Sequence, residues 1–161
     1  MKRLILLLIA SALVVSSTVF SQDRSTLRAA SLAFNSAERD YNKGDYKEAA
    51  QKFDMVVNAV PATCDSRKHL EMRLESLINL VDIYFNKSVN IRQACEYMHT
   101  YQSTMNTVSN SGVLRARSLM KFAKQSQDYA NNHASKCESY ERIGGDKKKF
   151  EKSFEDEFKK R

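Results

Sequence analysis

Residues 33–61, AFNSAERDYNKGDYKEAAQKFDMVVNAVP, carry the start, turn and stop signals of one complete structural unit. Gly44 can adopt the left-handed conformation that ends a helix. Asp45, with Glu48 three residues later, has the spacing of a capping box that opens the next helix. Pro61 ends that second helix, because a proline cannot continue it. The stretch therefore predicts an antiparallel helical hairpin.

Apolar residues recur at helical spacing on both sides of this turn. The first helix is predicted over residues 25–42 and the second over residues 45–60, each with one apolar face towards the other. The first face comprises Leu27, Ala30, Ala33, Phe34, Ala37 and Tyr41, and the second comprises Tyr46, Ala49, Ala50, Phe53, Val56, Val57 and Val60.

A third helix is predicted from the break at Pro61 to about residue 86, with Thr63 or Asp65 as its cap. It has the most apolar face of the chain, so we expect it to lie at the centre of the core. That face comprises Leu70, Leu74, Leu77, Ile78, Val81 and Phe85.

Two more helices complete the predicted domain. The fourth begins after Asn90, which with Gln93 offers cap chemistry, and ends at the turn 109–112. Its apolar face comprises Ile91, Ala94, Cys95, Met98, Tyr101, Met105 and Val108. The fifth is predicted over residues 113–134, with the buried residues Ala116, Leu119, Met120, Ala123 and Ala130. The basic residues of that helix lie largely on its other faces: Arg115, Arg117, Lys121 and Lys124.

The composition predicts an all-α fold of five to six helices. The chain has one proline and four glycines in 161 residues, which favours helices joined by short turns. It has no tryptophan and no dense alternation of Val, Ile and Thr that would indicate strands. About 140 residues remain without the leader, which corresponds to one domain.

Ala49, Phe53 and Pro61, placed after Gly44, resemble the second half of a tetratricopeptide repeat, whose pattern is Ala-x3-Phe followed by proline. The first half departs where the repeat prefers Trp, Leu and Tyr: Ala33, Ser36 and Asp40. Ala94 can play the part of Ala49 in a second unit, 45 residues later instead of about 34. The resemblance implies a short array of stacked hairpins, a right-handed α-α superhelix, with a groove that holds a peptide.

Residues 1–21 have the composition of an export signal peptide. Lys2 and Arg3 precede an apolar run over residues 4–15, shorter than the roughly 18 residues that a membrane span needs. We expect cleavage after Ser21; an uncleaved anchor is the alternative. Removing Lys2 and Arg3 from the 26 basic residues leaves 24 against 19 acidic ones, a formal charge of +5. No cysteine lies near the cleavage point for lipid attachment, so we expect a soluble periplasmic or secreted protein.

Three cysteines in an exported chain leave at least one without an intramolecular partner. In an up-and-down stack, Cys64 lies at the opposite end of the bundle from Cys95, about 30 Å away along a helix of about 20 residues. Cys137 returns to the end where Cys95 lies. A bridge between Cys95 and Cys137 is the first choice, and a plain core role for Cys95 is the alternative.

The predicted helical domain covers residues 22–137, and residues 138–161 form a charged C-terminal helix or tail. Phe150, Phe154 and Phe158 are spaced four apart after the joint at residues 144–145. On a helix they would form a narrow apolar ridge. This ridge either caps the open end of the stack or docks on a partner or membrane surface, and a disordered tail is the third reading.

The sequence offers few residues for catalysis, so we predict that the protein is not an enzyme and binds no metal or cofactor. His69, His99 and His133 lack the spacings that bind zinc, and no nucleophile elbow or glycine-rich phosphate loop is present. Paired carboxylates need only closeness in space, so the sequence leaves that class of enzyme open.

Two functions remain in competition. The first is a scaffolding module whose stacked hairpins bind a protein or peptide of the cell envelope, with Tyr41, Asn42, Asn79 and Asp82 as the predicted groove residues. The second is a peripheral membrane or anionic-polymer binder that uses the basic fifth helix and the Phe ridge. Nucleic acid is not an expected partner, because export removes the usual encounter and +5 is a modest charge. The sequence leaves the oligomeric state open.

Overall fold

The computed structural model describes residues 24–88 and 90–142, and in this part of the chain all regular structure is helical. The predicted all-α fold is confirmed. Five α-helices follow one another, and a π-helical turn, Ile83–Lys87, continues the third of them. The helices are α1 (Arg24–Lys43), α2 (Tyr46–Ala59), α3 (Arg67–Asp82), α4 (Ile91–Ser111) and α5 (Ala116–Arg142). The predicted leader and the Phe ridge lie outside the described residues.

The turn between α1 and α2 is built on Gly44, as predicted. Its φ is +88°, in the left-handed region, and a Cβ at this position would meet nothing within 4 Å, so the backbone conformation and not space requires glycine. The backbone N–H of Asp45 donates to the carbonyl of Asp40, which closes the end of α1. The predicted capping box is wrong, because the Asp45 side chain accepts no bond from the first turn of α2.

The two apolar faces of this hairpin pack against each other as the sequence predicts. Ala37, Ala49 and Phe53 are fully buried, and the rings of Phe34 and Phe53 meet edge to face with their centroids 6.0 Å apart. The alanines let the two helices approach closely, and the rings fill the space beside them. Helix α2 ends at Ala59 with the extended residue Val60 as its C-cap, and Pro61 follows directly.

Helix α3 lies at the centre of the core. Leu70, Leu74 and Leu77 are fully buried, as expected. The cap is neither of the predicted residues, Thr63 or Asp65, but Ser66, whose side chain makes no capping bond to the backbone. Instead the Ser66 hydroxyl lies 2.6 Å from Nδ1 of His69 in the first turn.

Arg73 is a charged residue of α3, and the apolar pattern of the sequence does not indicate its role. Its guanidinium donates to the carbonyl oxygens of Val57 and Val60, 2.6 Å away in the second case, and to the hydroxyl of Thr104 at 3.2 Å. Burial lowers the pKa of this guanidinium. Arg73 thus satisfies the open carbonyl end of α2 and joins α2, α3 and α4.

Helix α4 begins and ends as predicted. The Asn90 side chain accepts a hydrogen bond from the Gln93 backbone N–H, and Gly112 follows the helix with φ at +69°. Its predicted face is buried at Ala94, Cys95, Met98, Tyr101, Met105 and Val108, and Ile91 is half-buried.

The predicted buried face of α5 is wrong. Ala116, Met120 and Ala123 are exposed, whereas Phe122 is 1% exposed; Leu119 is half-buried and packs against the core. The face towards the core instead carries rings and a cysteine, namely Phe122, Tyr129, His133, Cys137 and Tyr140. Burying these side chains removes more apolar area from water than burying alanines, so they decide the rotation of the helix.

Helix α5 also begins three residues later than predicted and continues past residue 134 to Arg142. The expected domain boundary between residues 137 and 138 therefore falls inside a continuous helix.

Helices adjacent in sequence pack against each other along the chain, and α1 also packs against α3. Side chains of α5 reach α3 through the hydrogen bond from Ser118 to Glu71 and the ion pair of Lys121 with Glu75. The described part of the chain is thus a stack of antiparallel hairpins in which α1, α3 and α5 share one surface.

A candidate ligand-binding groove between three helices

A groove opens where α1, α3 and α5 meet, and we call it the three-helix groove. It is open to solvent, has a volume of about 240 Å³ and is mainly polar. Its walls come from positions far apart in the sequence: Glu38 of α1, Glu75, Ile78 and Asn79 of α3, and Lys121 and Gln125 of α5.

Two carboxylates and one ammonium dominate the charge of the three-helix groove. Lys121 Nζ lies 2.8 Å from Glu75 Oε1, so the charge of Glu75 is paired. Partial burial and, second, the nearby charge of Glu75 raise the pKa of Glu38. Glu38 makes no hydrogen bond to any residue that the structure describes, so one wall of the groove presents a carboxylate with open acceptor positions.

Gln125 adds a second open acceptor. Its Oε1 atom is buried and has no hydrogen-bond partner within residues 24–88 and 90–142. A buried polar atom without a partner costs free energy, and a ligand that donates to it would recover that loss. Glu38 and Gln125 together favour a ligand rich in N–H donors, such as a peptide backbone or a basic side chain.

A set of hydrogen-bonded side chains lies one turn after Asn79, towards the C-terminal end of α3. The Tyr41 hydroxyl donates to Asp82 Oδ2 at 2.5 Å, and Asn86 donates to Oδ1 at 2.7 Å. Desolvation raises the pKa of Tyr41 most, followed by the bond to Asp82. Burial raises the pKa of Tyr129 to about 12, and the charge of Asp82 adds to this shift. Asp82 is thus a support that ties α1 to α3.

The structure places the predicted groove residues in different positions. Asn79 lines the three-helix groove. Tyr41 and Asp82 form a hydrogen bond with each other one turn further along α3. Asn42 is exposed and does not line the groove. Phe150, Phe154 and Phe158 lie outside the described residues.

The groove residues that sequence reasoning missed are Glu38, Glu75, Ile78, Lys121 and Gln125. Glu75 follows Glu71 at helical spacing and could have been assigned to one polar face of α3, but nothing in the sequence places Lys121 opposite it.

A second set of polar contacts lies on the other side of the groove, near the N-terminal end of α3. His69 Nε2 lies 3.2 Å from the Ser31 hydroxyl of α1, and Ser118 of α5 donates to Glu71 of α3 at 2.7 Å. These contacts join both α1 and α5 to α3, and the bond of Tyr41 to Asp82 joins α1 to α3 a second time, so the groove is preformed.

A disulfide and a pair of stacked rings attach the C-terminal half of α5 to the rest of the fold. Cys95 and Cys137 are bonded, with their Cα atoms 5.6 Å apart, which is the pair that the sequence ranks first. The ring of His133 stacks on Phe85 with the centroids 4.2 Å apart. Burial lowers the pKa of His133, and the nearby Lys136 adds to this effect. Cys64 is a free, buried thiol whose pKa burial raises.

Within residues 24–88 and 90–142, no group of three or more His, Cys, Asp and Glu side chains is placed to hold a metal ion. None of the helices described there combines the length and the apolar character that crossing a bilayer requires. Comparison with protein-family models, with curated proteins and with solved structures found no match.

Proposed function

We propose that the protein is an exported, non-enzymatic scaffolding module that binds a protein or peptide of the cell envelope in the three-helix groove. The observation that carries this proposal is the pair of open acceptors, Glu38 and Gln125, in a preformed groove between three helices. An extended peptide offers backbone N–H donors along its length, which fits such a surface.

The packing of α1 on α2 supports a tetratricopeptide-like organisation. Ala49 and Phe53, the residues that carry the resemblance, are fully buried between the helices, and Gly44 makes the turn. In this reading α1, α3 and α5 are the groove-lining helices of successive units, and α2 and α4 form the outer layer.

Export is part of the proposal, and two observations support it. Residues 1–21 have the order of charge and apolar residues that a signal peptide has. The Cys95–Cys137 disulfide suits an oxidising compartment, such as a periplasm or the cell exterior.

Site-specific crosslinking in cells tests the function. A photoreactive amino acid replaces Asn79 in the groove, and the control replaces Asn106, which is exposed on α4. We expect the Asn79 probe to capture a distinct envelope protein and the Asn106 probe to capture none. Equal capture by both probes, or no adduct at Asn79, would contradict the groove as the binding surface.

The alternative function, binding to a membrane surface or an anionic polymer, rests on the start of α5. Arg115 is exposed just before the helix, Arg117 and Lys124 are exposed in its first turns, and Met120 on the same stretch is 67% exposed. Such a patch would attract anionic lipid, and salt would weaken the attraction. Salt-sensitive binding to vesicles of anionic lipid, lost in Arg117→Glu, without any groove adduct would favour this function over the first.

A further inference from the structure

The charged side chains that line the three-helix groove do not cancel one another. Glu38 and Glu75 supply two carboxylates and Lys121 supplies one ammonium, which leaves one negative charge in excess. The ammonium is already engaged, because Lys121 Nζ lies 2.8 Å from Glu75 Oε1. Partial desolvation and, second, the charge of Glu75 raise the pKa of Glu38, so its ionised form is held there at a cost. A bound cation would offset this cost, whereas a bound anion would add a further repulsion.

The groove also presents an uncharged acceptor on another helix. Gln125 Oε1 is buried and has no hydrogen-bond partner within residues 24–88 and 90–142. Glu38 belongs to α1 and Gln125 to α5, so a ligand that satisfies both needs a positive charge and at least two donors. A metal ion does not fit, since in that part of the chain no three His, Cys, Asp or Glu side chains are grouped to hold one.

The size of the groove selects a single side chain. Its volume of about 240 Å³ is below the roughly 300 to 1,000 Å³ of sites that bury a drug-sized ligand. A lysine ammonium is a compact, strongly hydrated charge, whereas a guanidinium is planar, more weakly hydrated and carries five N–H donors in a fixed fork. The fork offers separate donors to Glu38 and to Gln125. Half-buried Ile78, the apolar residue of the lining, offers a surface for the methylene stem.

We propose that the three-helix groove binds an arginine side chain of the partner, with Glu38 and Gln125 as the acceptors of its guanidinium. This inference rests on the proposed function, because it takes the groove as the peptide-binding surface and specifies which side chain the groove selects. Arg73 uses a guanidinium in the same way inside the fold. It donates to the Val60 carbonyl at the end of α2 and to the Thr104 hydroxyl of α4, and so satisfies acceptors from two helices at once.

A nuclear magnetic resonance titration of the purified, isotope-labelled protein tests this assignment. The probe is N-acetyl-arginine amide. N-acetyl-lysine amide has the same charge without the fork, and N-acetyl-citrulline amide has nearly the same shape without the charge. We expect the arginine probe to shift the side-chain amide signals of Gln125 and Asn79. The lysine compound should bind at least about fivefold more weakly, and the citrulline compound should leave both signals unchanged.

A pair of charge-removing variants locates the site. Glu38→Gln keeps the size of the side chain and removes its charge, so we expect it to weaken binding of the arginine probe by about tenfold or more. Glu48→Gln is the matched control, because Glu48 is an exposed carboxylate of α2 that does not line the groove, and we expect unchanged binding. Thermal unfolding shows that both variants keep the fold.

Equal binding of the lysine or citrulline compound would overturn the proposal. So would unshifted signals of Gln125 and Asn79, or full affinity in a folded Glu38→Gln protein. A protein captured at Asn79 in cells, without any response to the arginine probe, would overturn the arginine assignment and leave the binding function standing. Arginine binding without an adduct at Asn79 would support the assignment and contradict the proposed function.

Discussion

Replacing Phe122 by alanine should be among the most damaging changes in α5, although the sequence pattern puts Phe122 outside the helix's apolar face. Its ring is 1% exposed. The Phe122 carbonyl accepts a hydrogen bond from the Tyr101 hydroxyl at 2.7 Å, and this bond survives the substitution because it uses the backbone. The loss is therefore one of packing, about 3 to 5 kcal/mol for a buried Phe changed to Ala.

For a domain of this size, such a loss corresponds to a fall in the melting temperature of roughly 10 to 15 °C. Met120→Ala is the matched control, since Met120 lies two residues away and is 67% exposed. We expect it to change the unfolding free energy by no more than about 0.5 kcal/mol. Urea unfolding followed by circular dichroism measures both values. A larger loss in Met120→Ala than in Phe122→Ala would show that the rotation of α5 is reversed and would refute the reasoning.

Three further predictions concern the core, the disulfide and the groove. Leu77→Asp should destabilise the fold by several kcal/mol, because it buries an unpaired carboxylate at a fully buried position, whereas Lys121→Asp should cost far less in a thermal melt. Cys95→Ser should lower the unfolding free energy by about 2 to 4 kcal/mol by opening a link between residues 42 apart, and the same loss should follow reduction of the wild type. The fold raises the pKa of Glu38, so the native state binds its proton more tightly, and the contribution of Glu38 to stability falls as pH rises above 4.5. Glu38→Gln should therefore raise the melting temperature at pH 7 and lose this advantage below pH 4.5; an advantage that grows on acidification would contradict the raised pKa.

The hairpin and α4 could be predicted from the sequence because their signals are local. Gly44, Pro61 and Gly112 act through backbone conformation, and Asn90 caps the helix that follows it directly. The capping box at Asp45 has the same kind of signal but does not form, since a sequence spacing does not fix the side-chain rotamer.

The rotation of α5 could not be predicted from apolar periodicity alone. Two faces compete in this helix, one with alanines and Met120, and one with Phe122, Tyr129 and Cys137 interrupted by polar residues. Counting apolar positions favours the first face, whereas the area removed from water and the bond to Cys95 favour the second.

The three-helix groove could not be predicted because its residues come from three helices. Glu38 and Lys121 are separated by more than half of the chain, and only the packing of α1, α3 and α5 brings them to one surface. Asn79 was predicted only as a polar position near the groove of stacked hairpins, on the same footing as Asn42, which does not line the groove.

The most direct test of the proposed binding is the affinity of whatever protein the Asn79 probe captures, measured against a variant whose groove is filled. Asn79→Arg places a long side chain in the groove that Glu75 and Gln125 also line, and Asn106→Arg adds the same charge on α4 away from the groove. Isothermal titration calorimetry should show at least a tenfold weaker affinity for Asn79→Arg, about 1.4 kcal/mol, with Asn106→Arg equal to the wild type. Unchanged affinity in a folded Asn79→Arg protein would contradict binding in the groove.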